Sequence, residues 1–240
     1  MKPEDLIRAR YGALPFTPPE AIPPALAALL DRRVTRRYSA EAVSEALLDT
    51  VLAAAQSAPS KSDLQQYSII VTRDPVKIAK VADWIGTMPW IKDAPVLLIF
   101  CGDMRRGQAA CAQHGREHAN NNMDTFLNTA VDAALALGAA ISAADAAGLG
   151  TCPISYVRSH IEKVAPLFTL PKGVYPVAGL SLGWPTARNE VTPRLPPSVV
   201  IHREAYSSAH EAEAISAYDA LRPRQKPRYP EIHGQAPEGC

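Results

Sequence analysis

The sequence lacks a charge surplus, a cysteine framework, a long apolar run and a repeat, and each gap removes a class of protein. Its 25 Lys and Arg against 24 Asp and Glu leave a net charge of +1. Bulk attraction to nucleic acid or to an anionic membrane is therefore not expected. The four cysteines, Cys101, Cys111, Cys152 and Cys240, are scattered without a C-x-x-C. In a chain of this length they read as reduced thiols of a cytosolic protein. The opening Met-Lys-Pro-Glu-Asp has an acidic pair where a signal peptide would be apolar. No stretch of about 18 uninterrupted apolar residues follows, so the expected location is the cytoplasm. No G-x-G-x-x-G run or P-loop occurs, so a nucleotide seated on a glycine-rich turn is not expected either. What is present is an ordinary globular composition, 47% hydrophobic over 240 residues. That length suits one sizeable domain or two small ones.

Residues 1–30 read as an N-terminal arm, with a short helix near 4–10 and a second helix carrying Leu26, Leu29 and Leu30. From Arg32 helices alternate with strands. Residues 44–57 place Leu47, Leu48, Val51, Leu52 and Ala55 at helical spacing behind Ser44, a natural N-cap. Residues 66–72 predict a strand, 75–85 a helix opened by Pro75, and 95–101 a strand buried on both faces. A polar loop is expected over 102–123, then a long alanine-rich helix over about 124–147. So much alanine implies close neighbours, hence a central helix. Residues 174–182 form another apolar strand, and the chain from Leu221 is polar and proline-rich. The predicted division is an arm over 1–30, a domain over 31–220 and a second arm over 221–240. By pattern alone the fold is α+β or α/β. The 22 prolines and 13 glycines suggest extended arms of the kind that wrap a partner subunit.

Four segments are candidates for chemistry. Arg32-Arg33-Val34-Thr35-Arg36-Arg37-Tyr38 holds four guanidiniums, groups that bind phosphate bidentately. Charge alone fits a solvated face or a salt-bridge cluster better. The loop from Ala58 to Gln66 crowds hydroxyls, an amine and amides, suited to a polar ring or sugar, or to an ordinary turn. The third segment is Thr151-Cys152-Pro153-Ile154-Ser155-Tyr156. The fourth is Gly179-Leu180-Ser181-Leu182-Gly183-Trp184-Pro185, with Pro193-Arg194-Leu195-Pro196 after it.

In this order the segments resemble the FMN-dependent nitroreductase superfamily, on the branch of flavin reductases and oxygen-insensitive NADPH nitroreductases. The resemblance spans about residues 32–220. It rests on Arg-Arg-x-x-Arg-x-Tyr, Ala-Pro-Ser-x-x-x-Leu-Gln, Gly-Leu-Gly-Thr, and Leu-Gly-Trp-Pro before Pro-Arg-Leu-Pro. It implies an α+β fold, a mixed sheet flanked by helices in an intertwined homodimer, with FMN at the subunit interface. Arg32, Arg33 and Arg36 would hold the FMN phosphate, with Val34 beside it and Arg194 arriving from a later loop. Ser60, Lys61 and Ser62 would meet the flavin ring and ribityl chain. Met88 falls where relatives place a polar side chain near the cofactor. Pro153, Ile154, Ser155 and Tyr156 would lie along the isoalloxazine. The flavin would perform the chemistry, with no catalytic side chain and no metal. Electrons would pass from NADPH or NADH to a nitroaromatic, quinone or flavin by a ping-pong mechanism. An enzyme dedicated to one specialised metabolite and a flavin-binding module without turnover are the alternatives.

The sequence departs from the resembled pattern at four places. Val34 replaces a usual serine, Asp63 an asparagine or apolar residue, Ser155-Tyr156 a Gly-Gly, and Thr192 a lysine. Tyr156 either reaches the acceptor pocket or turns into the core. Two other motifs compete. Gly179-Leu180-Ser181-Leu182-Gly183 matches a nucleophile elbow, but Trp184-Pro185 follows where a helix should start. His114-Gly115-Arg116-Glu117-His118 matches a zinc signature that needs a continuous helix, which Gly115 disfavours. A tail cluster of Arg222, Arg224, Lys226 and Arg228 would suit a 2′-phosphate or simply solvent.

Overall fold

The computed structural model describes residues 1–221. The tail cluster from Arg222 onward lies outside the described residues. The chain divides into two compact units, one of residues 1–33 with the described residues from Glu190 on, the other Val34–Asn189.

In the first unit, α1 (Pro3–Tyr11) begins on a proline, places Glu4 and Asp5 in its first turn, and ends at Gly12 with φ 74°. Proline at the start, acids at the positive end and a left-handed residue after the last turn are the expected helix limits. Leu6, Ile7 and Arg10 are its buried face. The unit also holds α2 (Pro24–Asp31), and α8 (Pro197–Val200) and α9 (Glu211–Leu221) of the later segment.

The second unit carries α3 (Glu45–Gln56), β1 (Tyr67–Thr72), α4 (Pro75–Ile85), β2 (Val96–Asp103), α5 (Arg105–Gln113), α6 (Met123–Ala146), β3 (Gly150–Ile154), α7 (Ile161–Leu167) and β4 (Val174–Gly183). The Ser44 side chain accepts from the Leu47 N–H, Asp74 caps α4, and Asn122 caps α6. The strands form one sheet in the order β1-β2-β4-β3. Every pairing among the described residues is antiparallel, so the expected mixed sheet is corrected to an antiparallel one. The physical reason lies in β2. All eight of its residues are buried, a pattern usually associated with parallel strands. Here an antiparallel sheet is covered on both faces. Val96, Leu98 and Phe100 pack with α3 and α6, while Leu97, Ile99 and Cys101 pack with α4 and α7.

The expected loop over 102–123 contains α5, which buries no residue. With no apolar stripe to bury, it left no helical periodicity to read. The long helix is the central one. α6 is 24 residues long and apolar enough to cross a membrane by length and composition. Its Ala133, Ala136, Ala140 and Ala144 are fully buried in the core shared with β2 and β4. Alanine lets the helix axis approach the sheet closely, so one face of α6 is core.

Candidate functional site

The polar loop after α3 is held by a single buried carboxylate. Asp132, on α6 and 1% exposed, accepts three hydrogen bonds. Ser60 Oγ donates at 2.9 Å, the Lys61 N–H at 3.1 Å and the Gln66 N–H at 3.0 Å. Between these anchors Ser62, Asp63 and Gln65 adopt φ of 51°, 54° and 49°. Each left-handed non-glycine residue costs about 1–2 kcal/mol. Three hydrogen bonds to a carboxylate, at about 1.5–3 kcal/mol each, match that cost. The loop is therefore kept in a shape it would not adopt alone. The far side of the same loop is tied by Arg106, whose Nη1 donates to the Gln65 carbonyl at 2.6 Å and whose Nη2 donates to Ser68 Oγ at 3.0 Å. Ser68 in turn donates to Asp103 at 2.7 Å.

Lys61, Ser62 and Asp63 face solvent, and Ser60 is half-buried. Lys61 Nζ sits 3.3 Å from Asp124 on the first turn of α6. Hydrogen bonds from Asn128 and Lys61 hold the Asp124 carboxyl below the usual carboxylate range. An exposed pair of this kind is weak, so the amine is readily released.

Beside β3, the Thr35 N–H donates to the Thr151 carbonyl at 2.8 Å. A side chain at Gly150 would overlap Thr35, so glycine there permits the close approach. The Val34 carbonyl accepts from Asn189 Nδ2 at 2.6 Å. Arg36 is exposed, its guanidinium 5.9 Å from the Trp90 ring centroid. Pro153 and Ser155 face solvent, whereas Ile154 is fully buried. At 0% exposure Ile154 offers no open surface and backs the two residues that flank it. Met88 and Tyr156 are both half-buried against the core of β2, α4 and α7.

In the other unit Arg32, Arg33 and Arg194 gather around Arg10. The Arg10 guanidinium donates to the carbonyls of Leu30, Thr192 and Arg32, at 2.7 Å and 3.1 Å for the first two. Its own carbonyl accepts from the Arg194 N–H at 2.7 Å. Arg33 pairs with Asp31 at 3.0 Å. Arg33 Nε is buried without a hydrogen-bond partner among the described residues. A guanidinium with an unmet buried donor, set among three others, fits a phosphate. Burial, then the charges of Arg194, Arg32 and Arg33, lower the Arg10 pKa.

A family model described as the nitroreductase family matches residues 29–184. The chain belongs to the nitroreductase family. It is 40% identical over 194 residues to the FMN reductase [NAD(P)H] of Bacillus subtilis, covering 80% of this chain and 78% of the relative. It is 33% identical over 198 residues to the oxygen-insensitive NADPH nitroreductase of Salmonella typhimurium, covering 82% and 80%. Among solved structures, NfrA2 of B. megaterium superposes with a TM-score of 0.80 at 38% identity, covering 83% of this chain and 81% of that one. The NADPH:FMN oxidoreductase of Vibrio harveyi, solved with NAD+, gives 0.75 at 28% identity over 82% and 83%.

Neither competing motif has the geometry that it needs in this nitroreductase. Ser181 is fully buried in β4. Its Oγ lies 2.7 Å from the Tyr38 hydroxyl and donates to the Cys152 carbonyl at 3.3 Å. α5 ends at Gln113, and Gly115 turns left-handed with φ 63°, so no continuous helix joins His114 to His118. Sequence reasoning missed Asp132 and Arg10. Asp132 had a signal, an acid inside an alanine-rich helix. Arg10 had none, because its partners lie 20 to 182 residues away.

Proposed function

We propose that this nitroreductase is an FMN enzyme that passes two electrons from NADPH or NADH to a nitroaromatic, a quinone or a flavin. The observation that carries the reading is the gathering of Arg32, Arg33 and Arg194, with the buried donor of Arg33 unmet. The names of its relatives supply the redox class. Bound FMN supplies the two-electron chemistry, so the protein itself needs to bind, orient and exclude.

Arg32, Arg33 and Arg194 neutralise a phosphate dianion, with Arg36 a further candidate and Val34 beside it. Ser60, Lys61 and Ser62 offer a hydroxyl, an amine and a second hydroxyl to the ring and ribityl chain. Their pose is set by Asp132. Lys61, released from Asp124, would place a cation beside the flavin ring. Pro153 and Ser155 would border the isoalloxazine, with Ile154 packed behind them. Met88 and Tyr156 form its flank through the parts of their side chains not packed in the core. Donor and acceptor take turns at one face, which gives ping-pong kinetics.

The protein acts in the cytoplasm as a homodimer. The exposed stripe of α6 supports a partner copy. Met123, Leu127, Val131 and Leu135 recur at four-residue spacing and are 76%, 57%, 46% and 40% exposed. A contiguous apolar patch of this kind marks an interface. Purified protein should be yellow and should release FMN rather than FAD. Turnover with an acceptor separates the enzyme from a flavin-binding module.

A further inference from the structure

We propose that Arg10 is a positioning residue for the phosphate site, holding the segments of Arg32 and Arg194 at the separation that a phosphate dianion requires. The proposal rests on the reading that Arg32, Arg33 and Arg194 bind the FMN phosphate. Arg10 lies in α1, ahead of residue 29, where the family match begins.

Three observations carry the role. Arg10 is 7% exposed, so its charge is held away from water. Its Nε, Nη1 and Nη2 each donate to a carbonyl, those of Leu30, Thr192 and Arg32. Its carbonyl accepts from the Arg194 N–H. One residue therefore bonds the backbone of both arginine-bearing segments. Three of the five guanidinium N–H groups go to these carbonyls, which makes Arg10 a brace between the two segments. The rigid planar fork suits that task, whereas the flexible point charge of lysine cannot span three carbonyls. The brace also has a cost that an anion relieves. Burial, and then the charges of Arg194, Arg32 and Arg33, lower the basicity of Arg10, and Asp31 is engaged with Arg33.

The test compares FMN with riboflavin, which lacks the phosphate. Flavin-free protein is titrated with each, following quenching of flavin fluorescence, for the wild type, Arg10→Lys and Arg10→Gln. Both variants should bind FMN about tenfold or more weakly, the loss expected for a charge-assisted bond, while riboflavin affinity holds. Retained riboflavin binding also reports that the variant is folded. Hydrogen exchange on the flavin-free wild type gives a reading that needs no variant, since the Arg194 amide should be protected before any flavin is added. Wild-type protein that binds FMN no tighter than riboflavin overturns the phosphate reading itself. Wild-type preference for FMN that survives in Arg10→Lys, or a rapidly exchanging Arg194 amide, overturns the role of Arg10 alone.

Discussion

Asp132 shows how much one side chain decides. It is buried, it accepts three hydrogen bonds, and no lysine or arginine is bonded to it among the described residues. Asn has nearly the same shape but one acceptor oxygen, and its amide would face a backbone N–H. Asp132→Asn should lower FMN affinity about tenfold or more and should lower the unfolding temperature. Calorimetry and flavin titration check both, and unchanged affinity would detach the loop from the cofactor. Arg33→Ala should weaken FMN binding about ten- to a hundredfold. Ser181→Ala should cost stability through Tyr38 and leave turnover intact, whereas loss of turnover would give Ser181 a part in the reaction. Alkaline pH is a third lever. Burial pushes the Cys101 thiol from 9.0 up to about 12, and burial raises the Tyr38 phenol above its usual 10.0. Both stay protonated in the folded protein after the unfolded chain has begun to lose its protons. Their contribution is complete below the unfolded values and falls as pH rises above about 9. The unfolding temperature should decline there, and a flat profile would count against their burial. At this scale residue type marked candidates for chemistry, as with the arginines and Ser60. It was silent on Arg10, whose role depends on carbonyls that carry no side-chain signal.

At the scale of elements, legibility followed periodicity and caps. α3 and α4 begin and end close to where Ser44, Pro75 and the apolar spacing place them. α5 was invisible because it buries nothing, and its surface has no stripe to repeat. The mixed sheet was expected from the resemblance, and no strand's pattern bore on it. β2 is apolar on both faces because helices cover both, and burial says nothing about strand direction. The Ser60–Gln66 loop combines both lessons. Its polar residues marked it as a candidate, but its three left-handed residues were hidden, since none is glycine or asparagine. The tie from Arg106 to Gln65 makes a prediction about the element as a whole. Arg106→Ala should loosen the loop from its far side and raise the exchange rate of its amides, with FMN still bound. Exchange unchanged from wild type would mean that Asp132 alone sets the loop.

At the scale of the whole molecule, α6 makes two demands. Its alanine face lies in the core, and its Met123, Leu127, Val131 and Leu135 stripe is exposed in the single chain. If a second copy covers that stripe, Leu127→Glu should leave the single chain folded and shift its mass in solution from dimer to monomer. A dimer that persists would place the interface elsewhere. The kinetic counterpart is parallel lines in double-reciprocal plots, and a complex holding donor and acceptor together would exclude alternation at one face. The central claim is tested most directly by one anaerobic titration. Purified protein loaded with FMN is mixed with NADPH or NADH, and its visible absorbance is followed before and after a nitroaromatic, quinone or flavin is added. The account predicts that the yellow colour bleaches with the donor and returns with the acceptor. Protein that takes up no FMN, or bound FMN that neither donor bleaches, would contradict it.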